Sequence, residues 1–378
     1  MSKAKLIASS RYARYKYPKN HPLKIPRVSL LLSFLNAMNL LDKEELIESR
    51  PATMEELLLF HERDYIETLI EAERCQCVPS GAREKYNIGS YENPVSYAMF
   101  SGSSLAAGST IQAIEEFLKG NKVFNPAGGM HHAFRSRANG FCYINDPAIG
   151  IEYLRKKKGF KKILYIDLDA HHCDGVQEAF YDTDEVFVLS LHQSPEYAFP
   201  FKRGYVEETG EGKGKGYNLN IPLPKGLNDN EFLYALEKSL EIVKEVYEPE
   251  VYILQLGTDP LMEDYLSKFN LSNVAFLEAF NLVRNFFGEG IYIGGGGYHP
   301  YALARAWTLL WCELSDRKAP EKLTPEAVEL LKSIEFEEFD DEADRSYMLE
   351  SLKDPYRGGE IRREVKEILD RARSLILC

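Results

Sequence analysis

Five ionisable side chains crowd into eight consecutive positions of this sequence, directly after a short apolar run at residues 163–166. They are Asp167, Asp169, His171, His172 and Asp174. In an extended chain, residues two apart project from the same face, so Asp167, Asp169 and His171 can converge on one point. Carboxylates and imidazoles that converge are typical ligands of a metal ion. A polar turn is the alternative, but burying so many unpaired polar groups would be costly without an ion or hydrogen-bond partners.

A further carboxylate, Asp259, follows another apolar run and precedes a proline. An Asp-Pro pair after a strand is often only a turn, but beside Asp169 and His171 it completes a set of two aspartates and one histidine. Three protein ligands leave a zinc-like ion with an open position for water or a carbonyl oxygen. The ligand types alone would also suit Fe(II) or another divalent metal. The sequence therefore predicts a catalytic metal site and leaves the identity of the ion open.

Two adjacent histidines, His131 and His132, lie in a glycine-flanked segment. A single surface histidine is most often only solvated. Two histidines beside a metal site can act as general base and general acid, provided that carboxylates orient their second nitrogens. Asp167 and Asp174 are free for that task, because they are not needed as metal ligands.

Tyr298 follows a run of four glycines. An ordinary tyrosine has a pKa near about 10, so its hydroxyl is protonated at neutral pH and can donate a hydrogen bond to an oxyanion. A flexible turn with a packing tyrosine and an anion-binding loop are the alternatives. The anion-binding loop is disfavoured because the run lacks both the P-loop lysine and the GxGxxG spacing. Phe141 and Phe199 are either core residues or walls of an apolar slot, and the usual burial of phenylalanine favours the core.

The elements that must position these groups are those of an α/β sheet. Strands are predicted at 163–166, 185–192, 251–256 and 290–293, with a weaker candidate at 123–127. Helices are predicted at 102–119, 229–247 and 273–287. Strands that alternate with helices favour a mostly parallel sheet, and the polar groups fall where strands end, which is where open α/β sheets place their sites. The first 74 residues are predicted as helices with short polar breaks, among them a capping box at Thr53 and Glu56.

The whole chain is predicted to form a single domain. Its 378 residues are 44% hydrophobic, enough for a large core, and no low-complexity linker divides them. We expect a core at about 15–315 and C-terminal helices at 316–378. The sequence shows no signal peptide and no run of about 20 apolar residues, so a cytoplasmic protein without a membrane partner is expected.

Cysteine spacing and net charge argue against further classes of protein. The six cysteines form no paired CxxC framework, so reduced thiols are expected rather than disulfides or a structural zinc site. The formal net charge of -12 argues against direct nucleic-acid binding through a general basic surface.

In combination, these motifs resemble the histone deacetylase family, including bacterial histone-deacetylase-like and acetoin-utilisation proteins. The resemblance extends from about His21 to Trp311 and rests on the motifs NPAGGMHHA, GFCYIND, DLDAHHCDG, VLSLHQ, LGTDP and GGGGYHP. It implies the arginase/deacetylase fold, an α/β domain with an eight-stranded parallel sheet flanked by helices and the active site at the carboxyl ends of the strands. Arginases bind two manganese ions through further aspartates, and this chain has Gly257 and Cys173 at those places, so an arginase is disfavoured.

The resemblance also implies a role for individual residues. It implies metal ligands at Asp169, His171 and Asp259, a base pair of His132 with Asp174, a second pair of His131 with Asp167, and an oxyanion donor at Tyr298. It implies an acetyl-lysine tunnel walled by Gly140, Phe141 and Phe199, an acidic rim residue at Glu92 and the arginine of an internal acetate cavity at Arg27. It implies a structural potassium ion at Asp167, Asp169, His171, Ser190 and Leu191. It implies a second potassium ion at Phe180, Thr183, Val186 and Tyr217.

The predicted activity is metal-dependent hydrolysis of the acetamide of N-ε-acetyl-lysine in a protein or peptide, with zinc or Fe2+ as the ion. Deacetylation of an acetylpolyamine or another small N-acyl amine is one alternative. A non-catalytic module that binds acyl-lysine is another, which His132 and Tyr298 disfavour because a binder needs no proton shuttle. Pro260 and His299 depart from the eukaryotic pattern, so peptide preference stays open. The oligomeric state also stays open, and a monomer is compatible with the sequence.

Overall fold

The computed structural model describes residues 3–15, 17–97, 99–336 and 343–377. Its eight strands form one parallel sheet in the order β2-β1-β3-β8-β7-β4-β5-β6. The strands are β1 (Ala4–Ala8), β2 (Leu46–Glu48), β3 (Lys122–Asn125), β4 (Ile163–Asp167), β5 (Val186–Gln193), β6 (Asn218–Leu223), β7 (Val251–Gln255) and β8 (Ile291–Ile293). The predicted α/β architecture with an eight-stranded parallel sheet is therefore confirmed.

Helices cover both faces of this sheet. They are α1 (Arg27–Ala37), α2 (Met54–Leu57), α3 (Arg63–Cys75), α4 (Ala82–Tyr86), α5 (Ser101–Leu118), α6 (Asp146–Tyr153), α7 (Asp174–Phe180), α8 (Asp229–Val246), α9 (Asn273–Phe287), α10 (Pro300–Leu314), α11 (Pro325–Lys332) and α12 (Arg363–Leu377). The predicted capping box of α2 is present, with Thr53 and Glu56 each bonded to the other's backbone amide. Within the described ranges, no helix is both long and apolar enough to cross a membrane.

Alternate side chains of the strands enter two separate cores, one on each face of the sheet. Leu164 and Ile166 of β4 pack with α1, α8, α9 and α10, whereas Ile163 and Tyr165 pack with α3, α5, α6 and α7. Because both faces are covered, all five residues of β4 are buried. The same double burial makes β4, β5 and β7 mostly apolar up to their carboxyl ends, which is why these strands were predictable from the sequence.

The prediction of helices throughout the first 74 residues is wrong at Ala4–Ala8 and Leu46–Glu48, which form the strands β1 and β2. These strands have only five and three residues, too few to show a period. These strands form by pairing with segments that are distant in sequence. Leu6, for example, is the register partner of both Leu46 and Phe124.

The prediction that the cysteines are reduced is wrong for one pair. Cys75 and Cys77 form a disulfide at the exposed end of α3. Gln76 between them adopts a left-handed conformation with φ 51°, and this local turn brings the two Cα atoms to 5.2 Å. The prediction is confirmed for Cys142, Cys173 and Cys312, which are free and buried, while Cys378 lies outside the described residues.

The sheet order gathers the strand ends that carry the predicted site. The strands β3, β8, β7 and β4 are successive neighbours, and their last residues Asn125, Ile293, Gln255 and Asp167 are in register. The loops that follow these four strands begin side by side. Segments that are more than 160 residues apart in sequence therefore meet at one edge of the sheet.

Candidate active site

Asp169, His171 and Asp259 lie together at the carboxyl ends of β4 and β7, and their ligand atoms are all within 4.8 Å of one another. His171 Nδ1 is 2.9 Å from Asp259 Oδ2 and 3.3 Å from Asp169 Oδ1. Both carboxylates are buried, so their negative charges repel each other unless a cation or a proton lies nearby. Two carboxylates and an imidazole therefore fit a divalent metal ion.

Backbone contacts orient these carboxylates. The Ala170 amide donates to Asp259 Oδ1 at 2.9 Å, and the Gly296 amide donates to Asp169 Oδ2 at 2.6 Å. A Cβ at Gly296 would overlap Asp259 Oδ2, and a Cβ at Gly257 would overlap Asp169 Oδ2. This close approach explains glycine at both positions without an anion-binding role for the glycine run.

His131 and His132 point at each other beside the metal-ligand cluster, with their Nε2 atoms 3.0 Å apart. His131 Nδ1 lies 2.7 Å from Asp167 Oδ2, and His132 Nδ1 lies 2.7 Å from Asp174 Oδ1. All four side chains are buried. Because two N–H groups facing each other at this distance would repel, the two Nε2 atoms share one proton at most.

The two imidazoles have opposite shifts in pKa. Burial lowers the pKa of both, but at His131 the carboxylates of Asp167 and Asp169 outweigh burial and raise the pKa to about 9. At His132 the positive charge of His131 adds to the effect of burial, so the pKa lies well below the ordinary value of 6.5. At neutral pH, His132 is therefore the neutral member of the pair, the form that a general base requires.

Asn145 and Asp146, at the start of α6, hold the loop that carries the two histidines. The Met130 amide donates to the Asp146 carboxylate at 2.8 Å, and Asn145 Nδ2 donates to the Ala133 carbonyl oxygen at 2.8 Å. Sequence reasoning missed both residues. A signal was present, because an Asn-Asp-Pro sequence before a helical segment is a helix start whose polar side chains have further hydrogen-bonding capacity.

His61 contacts Asn145 and Arg135 and is neutral. Its Nε2 accepts a hydrogen bond from the Asn145 amide at 2.9 Å, and its Nδ1 donates to the Arg135 carbonyl oxygen at 3.0 Å. Burial lowers the pKa of His61 from 6.5 to about 4. Between these two values the unfolded chain binds more protons than the folded chain, so stability is lost as the pH falls through this window.

This arrangement predicts a specific pH dependence of stability. Between pH 7 and pH 5, we expect the free energy of unfolding of the wild type to fall by about 2 kcal/mol more than that of His61→Gln. Denaturant-induced unfolding of both proteins at the two pH values measures the difference. The same pH dependence in both proteins would contradict the neutral, buried state of His61.

Tyr298 is 7% exposed, and its backbone amide donates to Asp264 Oδ2 at 2.6 Å. Burial, together with the negative charges of Asp259 and Asp169, raises the pKa of Tyr298 well above 10. The phenol therefore stays protonated over the whole physiological range and remains a hydrogen-bond donor.

An aromatic slot leads from the surface to this cluster. Phe141 and Phe199 line it, and it reaches His132, His171 and Tyr298. The Phe199 ring lies edge-on to the His132 ring, with the centroids 4.9 Å apart. The prediction that favoured the core for these two phenylalanines is wrong. Both residues are only half-buried, and both line the slot.

The other predicted substrate-binding residues lie in or next to the slot. Glu92 lines the slot, and its carboxylate accepts a hydrogen bond from the Gly140 amide. Arg27 lines both the pocket around Asp169 and Tyr298 and a second cavity, and it donates to the Gly295 carbonyl oxygen. Tyr12, Tyr15 and Tyr17 line the second cavity.

The residues of the two predicted potassium sites lie at opposite ends of β5. Asp167 and Ser190 are register partners, and Asp167 faces His131. At the other end, the Thr183 amide donates to the Phe180 carbonyl oxygen at 3.4 Å, and Tyr217 directly precedes β6. Both sites stay predictions.

Gln255 and Tyr165 form a second group of polar residues that sequence reasoning missed. Gln255 Nε2 is 2.9 Å from His131 Nδ1. The Tyr165 hydroxyl is 2.7 Å from both Asp167 Oδ2 and Gln255 Oε1. The Tyr165 contact holds the Asp167 carboxylate in place beside His131. The signal for Gln255 was a single polar residue near the end of an otherwise apolar strand.

The chain is similar to known proteins over most of its length. A family model described as the histone deacetylase domain matches residues 21–314. The acetoin utilization protein AcuC of Bacillus subtilis is 36% identical over 328 residues, which cover 85% of this chain and 84% of that protein. Histone deacetylase 9 of Arabidopsis thaliana is 38% identical over 310 residues, which cover 80% of this chain and 71% of that protein.

Solved structures extend the similarity to nearly the whole chain. The crystal structure of an HDAC homolog from Aquifex aeolicus is 82% identical and superposes with a TM-score of 0.97, covering 98% of this chain and 100% of that chain. A crystal structure of an HDAC homolog complexed with SAHA is 81% identical, with the same TM-score and coverage.

Proposed function

The chain belongs to the histone deacetylase family, and from this premise we propose that it hydrolyses the acetamide of N-ε-acetyl-lysine in a protein or peptide and releases acetate. One observation carries the proposal. A buried group of three metal-ligand side chains lies beside a histidine pair of unequal pKa, at the inner end of an aromatic slot. A binding module would need the slot but not a pair of carboxylate-oriented histidines.

The ion that we assign to the site is zinc, with Fe(II) as the alternative that the same donors would accept. Asp169, His171 and Asp259 would hold it. When bound, the ion supplies a Lewis acid that polarises the acetamide carbonyl and lowers the pKa of a water molecule.

The residues of the chain supply the proton transfers and the charge stabilisation. His132, whose Nδ1 is held by Asp174, acts as the general base for the water that adds to the carbonyl carbon. The Tyr298 hydroxyl donates a hydrogen bond to the carbonyl oxygen as negative charge develops there. As the C–N bond breaks, the histidine pair returns a proton to the leaving amine. His131, kept protonated by Asp167, favours this direction of transfer because its charge repels a second proton on His132.

The slot fits a long, neutral side chain. Phe141 and Phe199 can pack against the methylene groups of acetyl-lysine, and Glu92 can accept a hydrogen bond from the substrate backbone. Arg27 is proposed to attract acetate into the second cavity. We also propose that SAHA binds in this slot, since an 81% identical HDAC homolog was crystallised with it. The potassium sites and a cytoplasmic location remain predictions from the sequence and the family resemblance.

We expect Phe199→Ala to raise KM for an acetyl-lysine peptide about tenfold, because the methylene groups of the substrate lose one apolar wall at about 0.8 kcal/mol for each buried CH2. The value of kcat should change less. Phe201→Ala is the matched comparison, since Phe201 is 53% exposed at the mouth of the same slot and should have a smaller effect. Steady-state kinetics of the three proteins measures this. A larger rise in KM for Phe201→Ala would place the substrate elsewhere.

Acetate release from two substrates tests the function directly. The wild type, loaded with zinc, is given an ε-acetyl-lysine peptide in one reaction and a free acetylpolyamine in another, each with and without SAHA. Faster release from the peptide, blocked by SAHA, is the expected result. Much faster release from the acetylpolyamine would identify a small-amine deacetylase. Binding of the peptide without any acetate release would point to a binding module.

A further inference from the structure

The family match ends at residue 314. Part of the chain after this residue packs against the loop that carries Asp259. The segment in question is residues 346–357, here called the C-terminal strap. It follows α11 and precedes α12, and it lies against α10 and against residues 256–272, here called the β7 loop. The β7 loop contains the metal-ligand candidate Asp259 and ends at α9.

The strap is an integral part of the domain because it neutralises a buried charge. Arg305 of α10 is fully buried. Its Nη1 donates to Asp354 Oδ1 at 2.7 Å, and its Nε donates to the Ser351 carbonyl oxygen at 2.7 Å. The Tyr347 ring lies 5.4 Å from the Arg305 guanidinium. All these groups belong to the strap, and a buried guanidinium that lost them would be strongly destabilising.

A second contact of the strap is with the β7 loop. The Arg357 guanidinium forms an ion pair with Glu263 and donates from Nη1 to the Leu271 carbonyl oxygen at 2.6 Å. Tyr347 donates its hydroxyl proton to the same Glu263 carboxylate. Arg357 and Glu263 are 16% and 8% exposed, so this pair is screened less than a surface ion pair. Arg357 therefore ties two points of the β7 loop to the strap.

The next residue of the loop reaches the catalytic tyrosine. Asp264 is buried and accepts hydrogen bonds from the Tyr298 amide at 2.6 Å and from the Leu266 amide at 3.0 Å. Glu263 and Asp264 thus point to opposite sides of one loop, the first to the strap and the second to Tyr298. Glu263 is therefore separated from the Tyr298 amide only by one peptide unit and the Asp264 side chain.

A residue that precedes the strap, Phe336, also packs near Tyr298. Phe336 is 7% exposed, and its ring lies 6.1 Å from the Tyr265 ring and 5.4 Å from the His299 ring. The Tyr265 ring in turn lies 6.3 Å from the Tyr298 ring. The C-terminal part of the chain therefore contacts residues on both sides of Tyr298.

We propose that Arg357 is a positioning residue for the deacetylation reaction. By anchoring Glu263, it fixes the β7 loop so that Asp264 holds the Tyr298 backbone and keeps the phenol at the place where the oxyanion develops. The inference rests on the proposed function, because it assigns a task to Tyr298 in that reaction. Arg357 is not among the residues that line the slot, so its effect on the reaction has to pass through the β7 loop and Tyr298. Arg357 also lies 3.8 Å from Asp354, the partner of Arg305, so the test has to separate positioning from destabilisation.

The test compares Arg357→Ala, Arg357→Lys and the control Arg363→Ala in the full-length chain. The Arg363 side chain is 90% exposed and forms an ion pair with Glu367, one turn further along α12. We expect Arg357→Ala to lower kcat for an acetyl-lysine peptide about tenfold with little change in KM, because a small displacement of a catalytic group is costly. Arg357→Lys should recover part of the loss, and Arg363→Ala should behave as the wild type.

A double-mutant cycle separates positioning from general destabilisation. If Arg357 acts through Tyr298, then Arg357→Ala should change kcat by less than about twofold in the Tyr298→Phe background. A tenfold loss in both backgrounds would overturn the proposal, as would full activity of Arg357→Ala.

Hydrogen–deuterium exchange gives a readout that needs no turnover. The Tyr298 amide should exchange faster in Arg357→Ala than in the wild type or Arg363→Ala, because its acceptor Asp264 is no longer held. Unchanged exchange would refute the positioning role. If the wild type itself released no acetate, the proposed function would fail while the exchange result still decided whether Arg357 positions Tyr298.

Discussion

Asp259→Asn is expected to abolish metal binding and acetate release, with a loss of at least about 10³-fold in kcat/KM, because the metal ion contributes several kcal/mol to transition-state stabilisation. Asp259 is fully buried and offers Oδ2 beside His171 Nδ1, while the Ala170 amide occupies Oδ1. An asparagine keeps the shape of this side chain. It loses the negative charge, and one of its two terminal atoms becomes a donor that faces either the ion or the Ala170 N–H.

Metal content and thermal unfolding measure this prediction independently of turnover. Metal-stripped wild type should regain acetate release with zinc or Fe(II), and its Tm should rise on zinc addition because a ligand that binds only the folded state stabilises it. Asp259→Asn should show neither response. Asp316→Asn is the matched control, since Asp316 has a 74% exposed side chain paired with Lys122. An Asp259→Asn protein that bound zinc normally and released acetate would refute the ligand assignment.

Tyr298→Phe is expected to lower kcat by about 10²- to 10³-fold with little change in KM, the usual cost of removing one oxyanion donor. The ring stays in place, since the Tyr298 amide remains bonded to Asp264 and only the hydroxyl is lost. Metal content and Tm should therefore equal those of the wild type. Because the pKa of Tyr298 lies well above 10, wild-type activity should show no loss from ionisation of this phenol up to about pH 10.

Steady-state kinetics of Tyr298→Phe beside Tyr153→Phe measures the effect. Tyr153 also loses one hydrogen bond, from its hydroxyl to Glu115 at 2.9 Å, but it lies on α6 away from the site. Tyr153→Phe should keep full activity. If Tyr298→Phe turned over substrate at the wild-type rate, the oxyanion role would belong to another group.

Much of the fold could be predicted because its signals are local. The buried strands β4 and β7 are unbroken apolar runs, and α9 was predicted with the bounds that the structure has, Asn273–Phe287. The short edge strand β2 and its neighbour β1 could not be predicted from local patterns. The strand β1 pairs with segments about 40 and 120 residues further along the chain, and β2 pairs only with β1. The Cys75–Cys77 disulfide was missed because its formation depends on the left-handed turn at Gln76.

In the candidate site too, some residues could be predicted from the sequence and others could not. Asp169 and His171 were selected by residue type and short spacing, and Asp259 by its position after a buried strand. Three metal-ligand candidates could be named in this way because ligand chemistry is a property of the side chains themselves. The residues that hold these groups were missed. Asn145 and Asp264 are ordinary polar residues in sequence, and their tasks appear only when the loops of different strands meet.

The sequence by itself determined which chemistry is available: a metal-ligand set, two histidines and a protonated tyrosine, each placed after a recognisable strand or glycine run. The family resemblance already paired His131 with Asp167 and His132 with Asp174, and both contacts are present in the structure. Only the tertiary structure decided how these groups are supported. It placed Arg357 against Glu263, the residue before the Asp264 carboxylate that accepts a hydrogen bond from the Tyr298 amide. The physical reason is that such contacts follow from the register of parallel strands and the return of the C-terminal strap. Both are set by burial of the whole core, and no local pattern records them.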